Sequence, residues 1–161
     1  MRLFVALFLP SDVRDDLGRR LAHVPAALVP ADRWHVTMTF LGEVPDDRLA
    51  GVESALDTVP SRDPIGLRVA GGGDFRRTVQ WAGLHGDLDG LRALHGDVRA
   101  ALGLAGDKRP FTPHVTISYA RGAVAAEALR DYAGPRWRAD GFTLVLSRSG
   151  YRPLRTFPFA G

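Results

Sequence analysis

The 161-residue sequence contains no cysteine, a single lysine and no hydrophobic run long enough to cross a bilayer. Without cysteine, the protein has no disulfide, no thiol nucleophile and no zinc or iron–sulfur centre bound by thiolates. The apolar run near the N-terminus, residues 3–9, is much shorter than the roughly 20 residues of a membrane-spanning helix. No small-residue cleavage site follows it. We therefore expect a cytoplasmic protein.

Arginine supplies almost all of the positive charge. Lysine and arginine together number 21 and Lys108 is the only lysine, so 20 residues are arginine, in a chain of net charge +3. Guanidinium groups stay charged and bind phosphate oxygens in a bidentate way, which suits a nucleotide or RNA partner. The nucleotide composition of the genome explains the same arginine excess equally well. With 45% hydrophobic residues, residues 1–161 are expected to form a single domain with an ordinary core.

A six-residue pattern, His-Val-Thr-apolar-hydroxyl-aromatic, occurs twice, from His35 to Phe40 and from His114 to Tyr119. Successive side chains of a β-strand point to opposite faces. Each copy therefore predicts a strand with the histidine and both hydroxyls on one face, and with the apolar and aromatic residues on the other. Two such strands facing one cleft would bring two imidazoles together.

The periodicity around these copies predicts alternating strands and helices. The predicted strands, besides those of the two motifs, are residues 1–9, 65–70, 78–84 and 142–146, with a last apolar segment ending at 159. Four helices are predicted. The first is capped by Ser11 or Asp12 and runs to about residue 22, the second begins at Asp46 or Asp47, the third spans 88–102 and the fourth, a short one, spans 124–132. Glycines 71–73 are interpreted as a loop or bulge, and residues 107–113 as a proline-stiffened connection. This order favours an α+β protein of two similar lobes.

Paired histidines with neighbouring hydroxyls suit phosphoester hydrolysis or transfer without a metal. One neutral imidazole takes a proton from the attacking water, while the other, protonated, gives a proton to the departing sugar oxygen. Thr37 and Thr116 would donate hydrogen bonds to the non-bridging phosphate oxygens.

Other interpretations compete with this one. A lone histidine on a strand is usually structural, but the repeat of the whole pattern favours a functional pair here. A zinc site needs three or four protein ligands, and neither motif has a nearby carboxylate or third histidine; His23, His85 and His95 are predicted to lie on the surface. A Ser-His-Asp site lacks a marked serine turn. We expect neither a metal nor a cofactor.

The paired motifs resemble those of the 2H phosphoesterase superfamily. Five segments in order, spanning essentially the whole chain, are similar to the bacterial and archaeal RNA 2′,3′-cyclic phosphodiesterases, also called 2′-5′ RNA ligases: residues 2–7, 34–44, 79–84, 109–116 and 147–159. The resemblance implies a LigT-like, bilobal α+β fold with a pseudo-twofold axis, in which antiparallel sheets line a central cleft and helices lie outside.

The resemblance also implies a reaction, the hydrolysis of an RNA terminal 2′,3′-cyclic phosphate to a 2′-phosphomonoester. His35 then matches the proton donor to the 3′ oxygen and His114 the proton acceptor that activates water, with Thr37 and Thr116 binding the phosphate. The expected partner is RNA with such an end, including tRNA fragments, and the expected state is a monomer. The alternatives are ligation of tRNA halves through a 2′-5′ bond and an RNA-binding relative with little turnover.

One position departs from the family pattern. The family usually places an arginine five residues after the second motif histidine, where this chain has Tyr119. Arg121, on the same face if the strand continues, or Arg77 from the neighbouring strand could replace its charge. Phe40 and Phe111 are candidates for stacking on a base, although aromatics beside a strand more often belong to the core.

Overall fold

The computed structural model describes residues 1–106 and 110–160. In this part of the chain, eight strands form one antiparallel sheet: β1 (Arg2–Phe8), β2 (His35–Glu43), β3 (Ile65–Phe75), β4 (Val79–Gly86), β5 (Val115–Ser118), β6 (Ala133–Ala139), β7 (Gly141–Ser147) and β8 (Tyr151–Pro158). The α-helices are α1 (Ser11–Leu21), α2 (Leu49–Leu56), α3 (Leu88–Ala101) and α4 (Val124–Glu127). Two short 3₁₀ turns span Ala31–Arg33 and Asp46–Arg48.

The sheet has the two motif strands at its centre. Its order is β6-β3-β4-β5-β2-β1-β7-β8, and β5 meets β2 through the pair Val36 and Val115. We call β2, β1, β7 and β8 the first lobe and β5, β4, β3 and β6 the second lobe. The units β1-α1-β2 and β4-α3-β5 repeat the same order of elements. The predicted two-lobed α+β architecture is therefore confirmed.

The helices cover one face of the sheet and leave the other open. The apolar side chains of α1 and α3 that were predicted to face inward are buried in the main core: Val13, Leu17, Leu21, Leu91, Leu94 and Val98. Each long helix also contacts the other lobe, α1 on β6 and α3 on β2. On the open face, a small apolar cluster forms around Phe4, Ala6 and Val145. Within the described residues, no helix is both long and apolar enough to span a membrane.

Local structure differs from prediction at the start of α1. Pro10 occupies the position before the helix, and no side chain caps it, so the predicted cap by Ser11 or Asp12 is wrong. Both residues lie inside the helix, where Ser11 is the first residue. Proline has no side-chain acceptor for the first amides of the helix, and the Pro10 carbonyl accepts the first helical hydrogen bond, from the Arg14 amide at 2.9 Å.

The segment after the second motif also differs. The helix predicted over 124–132 ends at Glu127, and the following strand β6 was not predicted. Alanine and leucine in this segment satisfy a helical pattern, but β6 contains Pro135. A proline is tolerated in a strand at the edge of a sheet, and β6 is the terminal strand of this one.

The glycine cluster lies inside a strand. Strand β3 continues through these glycines to Phe75, and its pairing with β4 shifts register between Val69 and Gly72. Gly71 has a φ of 69°, a conformation that glycine adopts without steric cost. Of the two predicted alternatives, the bulge is confirmed. The predicted connection over 107–113 falls partly on residues 107–109, which lie outside the described residues.

Candidate active site

The four polar residues of the two motifs meet where the lobes join. In the antiparallel pairing of β2 with β5, Val36 opposes Val115, so one step to either side His35 opposes Thr116 and Thr37 opposes His114. Both valines are fully buried on the helix face, which places all four polar side chains on the open face. Directly opposed residues have Cβ atoms about 4.5–5.5 Å apart, and diagonal neighbours such as the two histidines have Cα atoms about 7–8 Å apart.

Each histidine is oriented by the same backbone contact. His35 Nδ1 lies 2.7 Å from the carbonyl oxygen of Arg33, and His114 Nδ1 lies 2.7 Å from that of Thr112. A carbonyl oxygen only accepts, so Nδ1 carries the hydrogen in both rings. In each imidazole, Nε2 is left as the atom that exchanges a proton. His35 Nε2 lies 3.0 Å from Thr37 Oγ1.

Aromatic rings enclose His35. Its ring centroid lies 5.0 Å from that of Phe4, 5.7 Å from that of Phe8 and 5.3 Å from that of Tyr151, which it meets edge-on. Burial lowers the pKa of His35 below its usual 6.5; the Arg33 carbonyl opposes this shift, and the charge of His114 adds to it. The two imidazoles are therefore close enough to interact electrostatically.

His114 has different neighbours. Its ring meets Phe75 edge-on at 5.0 Å and lies 6.3 Å from Trp81. Phe75 and Trp81 come from β3 and β4 of the second lobe, and neither was predicted as a site residue. The sequence carries no local signal for them, because a strand aromatic reaches a site only through the pairing of its strand.

The third polar residue of each motif is buried, so the prediction that Thr39 and Ser118 are presented on one face with the motif histidine and threonine is wrong. Along β1, Ala6 pairs with Thr37 but the next residue, Val5, pairs with Thr39, so that Met38 is an additional residue. Such a bulge interrupts the alternation of side chains. In β5 the pairing with β4 skips one residue in the same way, between Thr116 and Ser118.

The buried hydroxyls have structural partners. Thr39, only 4% exposed, accepts a hydrogen bond of 2.7 Å from the Arg99 guanidinium. Ser118, fully buried, donates to the Ala27 carbonyl at 2.6 Å and accepts from the Ala120 amide at 3.0 Å. These two hydroxyls therefore connect strands β2 and β5 to the surrounding chain by hydrogen bonds.

After each bulge, an aromatic side chain is exposed. Phe40 is 70% and Tyr119 67% exposed, so neither joins the core as the alternation predicted. The ring of Phe40 lies 6.0 Å from that of Phe4, on the open face. Both exposed rings are available to a ligand.

Tyr151 is a member of the site that the sequence did not reveal. Burial raises its pKa, Tyr119 raises it further, and Arg33 opposes the shift. The Arg33 guanidinium lies 5.7 Å from the centre of the Tyr151 ring. Tyr151 therefore contacts His35 and lies close enough to Tyr119, of the other lobe, to interact with it electrostatically. Its only sequence signal was its position directly after the turn glycine at 150, within the segment 147–159 that matched the family.

Phe111 lies at a pocket beside the histidines. Its ring stacks on His95 of α3, with centroids 4.0 Å apart and an angle of 7° between the planes. Both residues line a cavity of about 400 Å³ together with Thr37, Phe40 and His114. His95 is half-buried, so its prediction as a surface residue is wrong, whereas His23 and His85 are exposed as predicted.

The two candidate replacement arginines lie in neighbouring loops. Strand β5 ends at Ser118, so the expectation that Tyr119 and Arg121 share a strand face is wrong. The Gly122 amide donates to the Arg77 carbonyl at 2.8 Å, which joins the Arg121 segment to the turn between β3 and β4. Both arginines are exposed. Neither guanidinium has a hydrogen bond or ion pair with a described residue.

In residues 1–106 and 110–160, no group of three or more histidine, aspartate or glutamate side chains is arranged to hold a metal ion. The absence of a metal or cofactor from the reaction stays a prediction.

Comparisons with known proteins identify relatives of the whole chain. A family model described as the 2′-5′ RNA ligase superfamily matches residues 9–150. The RNA 2′,3′-cyclic phosphodiesterase of Thermus thermophilus is 31% identical over 91% of this chain and 82% of its own. That of Geobacillus stearothermophilus is 29% identical over 98% of this chain, which spans only 57% of its length.

Solved structures share the fold. The apo crystal structure of Escherichia coli LigT aligns with a TM-score of 0.81 at 28% identity, covering 99% of this chain and 98% of that one. The same protein in complex with 3′-AMP aligns with a TM-score of 0.79 at 25% identity, again covering 99% and 98% of the two chains.

Proposed function

The chain belongs to the 2′-5′ RNA ligase superfamily, and from this premise we propose that it hydrolyses the terminal 2′,3′-cyclic phosphate of RNA to a 2′-phosphomonoester without a metal. The observation that carries the proposal is the pairing of Val36 with Val115. This pairing supports a site in which His35, Thr37, His114 and Thr116 surround one phosphate. The names of the relatives agree with this reaction.

Proton transfer takes place at the two Nε2 atoms. His114 Nε2 accepts a proton from the attacking water, whose oxygen bonds to phosphorus. His35 Nε2–H donates its proton to the 3′ oxygen as the bond from phosphorus to that oxygen breaks, and the 2′ ester remains. Each transfer contributes about 10²- to 10⁴-fold in rate. The division into acid and base comes from the resemblance to the family and not from the geometry.

The phosphate itself prepares His35 for the acid role. Burial and the charge of His114 lower the pKa of His35 in the free protein, which disfavours the protonated form that an acid needs. A bound phosphate carries negative charge and raises the pKa of a neighbouring imidazole. The substrate therefore supplies the condition under which His35 holds its proton.

Hydroxyl groups and aromatic rings complete the site. Thr37 and Thr116 donate to the non-bridging oxygens, and substrate displaces the contact of Thr37 with His35. The phenol hydroxyl of Tyr119 takes the place of the family's arginine as a donor, with Arg77 and Arg121 supplying positive charge nearby. Phe40 and Phe111 stack on bases.

The proposal extends to the setting of the reaction. The substrate is RNA with a cyclic phosphate end, including tRNA fragments, and the protein acts as a cytoplasmic monomer. The same pair of imidazoles is competent for ligation through a 2′-5′ bond: the 5′ hydroxyl of a second RNA end replaces water as the nucleophile, His114 accepts its proton, and His35 again gives a proton to the departing 3′ oxygen.

A dinucleotide ending in a 2′,3′-cyclic phosphate tests this function. With EDTA present, we expect conversion to the 2′-phosphomonoester, identified by mass and by phosphorus NMR. A strict need for added metal, or a 3′-phosphate product, would contradict the mechanism. Tight, salt-sensitive RNA binding without product after long incubation would indicate an RNA-binding relative instead.

A further inference from the structure

Three arginines lie together on the open face of the second lobe. Arg68 of β3 opposes Arg136 of β6, and Gly66, two residues earlier in β3, opposes Arg138. Positions two apart share a face, so all three side chains project from the same side. Arg136 and Arg138 are exposed and Arg68 is half-buried, whereas Trp137 between them is buried in the main core. We call Arg68, Arg136 and Arg138 the arginine face.

The arginine face continues from the histidine site. On β4, Trp81 opposes Thr116, and four residues farther along the same strand His85 opposes Arg68. Four residues of strand extend over about 13 Å. The position between them on this face is Gly83, which has no side chain to obstruct a ligand. An extended polymer can therefore lie over Trp81 and reach the arginines.

A groove accompanies the three guanidinium groups. A cavity of about 630 Å³ is lined by the arginine face together with Gly66, Leu67, Gly86 and Trp137. Because the two glycines have no side chains, they do not fill the bottom of this cavity. A groove with basic walls that tracks a backbone is the usual form of a site for single-stranded nucleic acid.

The charges of the arginine face are not balanced within the described residues. None of the three arginines has an ion pair there, and Arg68 Nε is buried without a hydrogen-bond acceptor. Like charges directly opposite each other on neighbouring strands, such as Arg68 and Arg136, are destabilising. Some arginines elsewhere do have an acidic partner, as Arg62 has in Asp97 at 2.6 Å. The arrangement therefore fits an anionic ligand.

We propose that the arginine face binds the phosphodiester backbone of the same RNA strand whose terminal cyclic phosphate occupies the histidine site. This inference rests on the proposed function and names its substrate class: a polynucleotide, preferred to a mononucleotide. The terminal nucleotide occupies the cleft, and nucleotides farther from the end cross Trp81 to the arginines. Contacts with the phosphodiester backbone do not distinguish one base from another, so we expect the protein to prefer longer RNA and not a particular base sequence.

A triple variant, Arg68→Gln with Arg136→Gln and Arg138→Gln, tests the proposal. Two substrates are compared: a nucleoside 2′,3′-cyclic phosphate and a single-stranded oligonucleotide with the same cyclic end. We expect kcat/KM for the oligonucleotide to fall at least about tenfold, and the slope of log kcat/KM against log salt to flatten by about 2, since each phosphate contact on a single strand contributes about 0.7. For the mononucleotide we expect no change.

The matched control removes three arginines from the helix-covered side, Arg14→Gln with Arg48→Gln and Arg130→Gln, and is expected to leave both substrates unaffected. If the control lowers the oligonucleotide rate equally, net charge and not the arginine face is responsible, and the proposal is wrong. An unchanged oligonucleotide rate in the test variant also overturns it and indicates another partner, such as an acidic protein.

If the triple variant does not fold, Arg136→Gln with Arg138→Gln, both exposed, is used instead. Failure of the proposed function is distinct, because the unaltered protein would then turn over neither substrate.

Discussion

The two His-Val-Thr strands have the same backbone and different surroundings. Both place a histidine whose Nδ1 contacts the carbonyl two residues earlier, both bulge after the threonine, and both then expose an aromatic ring. His35, however, is enclosed by Phe4, Phe8 and Tyr151, whereas His114 has Phe75 and Trp81 as its aromatic neighbours. Repetition gives two equivalent proton-transfer groups, and the burial of His35, which lowers its pKa, makes the surroundings of the two imidazoles unequal.

The largest expected effect comes from removing either imidazole. His35→Ala and His114→Ala should each lower kcat on a cyclic-phosphate dinucleotide by about 10²- to 10⁴-fold, because each removes one proton transfer. His23→Ala, at an exposed histidine after α1, serves as the control and should keep full activity. Circular dichroism checks that the fold is intact. Full activity in both site variants would show that the paired imidazoles are not the catalytic groups.

The threonines test whether the two halves bind phosphate equally. Thr37→Val and Thr116→Val should each lower kcat by about 10²-fold, since each removes one donor to the charge that develops in the transition state. Thr37→Ser and Thr116→Ser keep the hydroxyl and should retain most activity. The measurement is steady-state kinetics at saturating substrate. Valine variants as active as the serine variants would indicate that these hydroxyls only support the fold.

Removing the buried hydroxyl groups of Ser118 and Thr39, which lie at the two bulges, should affect stability and not catalysis. Ser118→Ala leaves the Ala27 carbonyl and the Ala120 amide without their partner, at a cost of about 1–3 kcal/mol in the free energy of unfolding. Urea denaturation measures this loss, and kcat should remain within about twofold. Thr39→Val removes only one partner of Arg99 and should cost less. A large loss of kcat in folded Ser118→Ala would place this hydroxyl in the site instead.

The smallest expected effect is a shift in one pKa. In the free protein, NMR titration should place the pKa of His35 below 6.5. His114→Asn removes a nearby positive charge and should move the pKa of His35 upward, and inorganic phosphate should raise it in the unaltered protein. His85→Asn, at an exposed and distant position, should leave it unchanged. An equal response to both substitutions would mean that the two motif histidines are not close.

Local patterns predicted most of the elements. The apolar spacing in α1 and α3 and the repeated motif depend on residues near one another in the chain, and the helix period and strand alternation convert such spacing into a buried face. The prediction of a helix over 124–132 was wrong in its length, because the alanine-rich pattern contains no information on the pairing of the next residues with β3. Tyr151, Phe75 and Trp81 were missed as site residues for the same reason: each reaches a histidine through strand pairing.

The sequence alone determined that two similar strands carry a histidine and a threonine on one face. Side chains alternate between the two faces over three residues of any regular strand, whichever strand pairs with it. Tertiary structure decided the rest of each motif. The bulges that turn Thr39 and Ser118 inward and expose Phe40 and Tyr119 exist only in register with β1 and β4. Likewise, Arg68 is far from Arg136 and Arg138 in the chain and meets them because β3 pairs with β6. Contacts between distant residues depend on the pairing of whole strands, which no local spacing records.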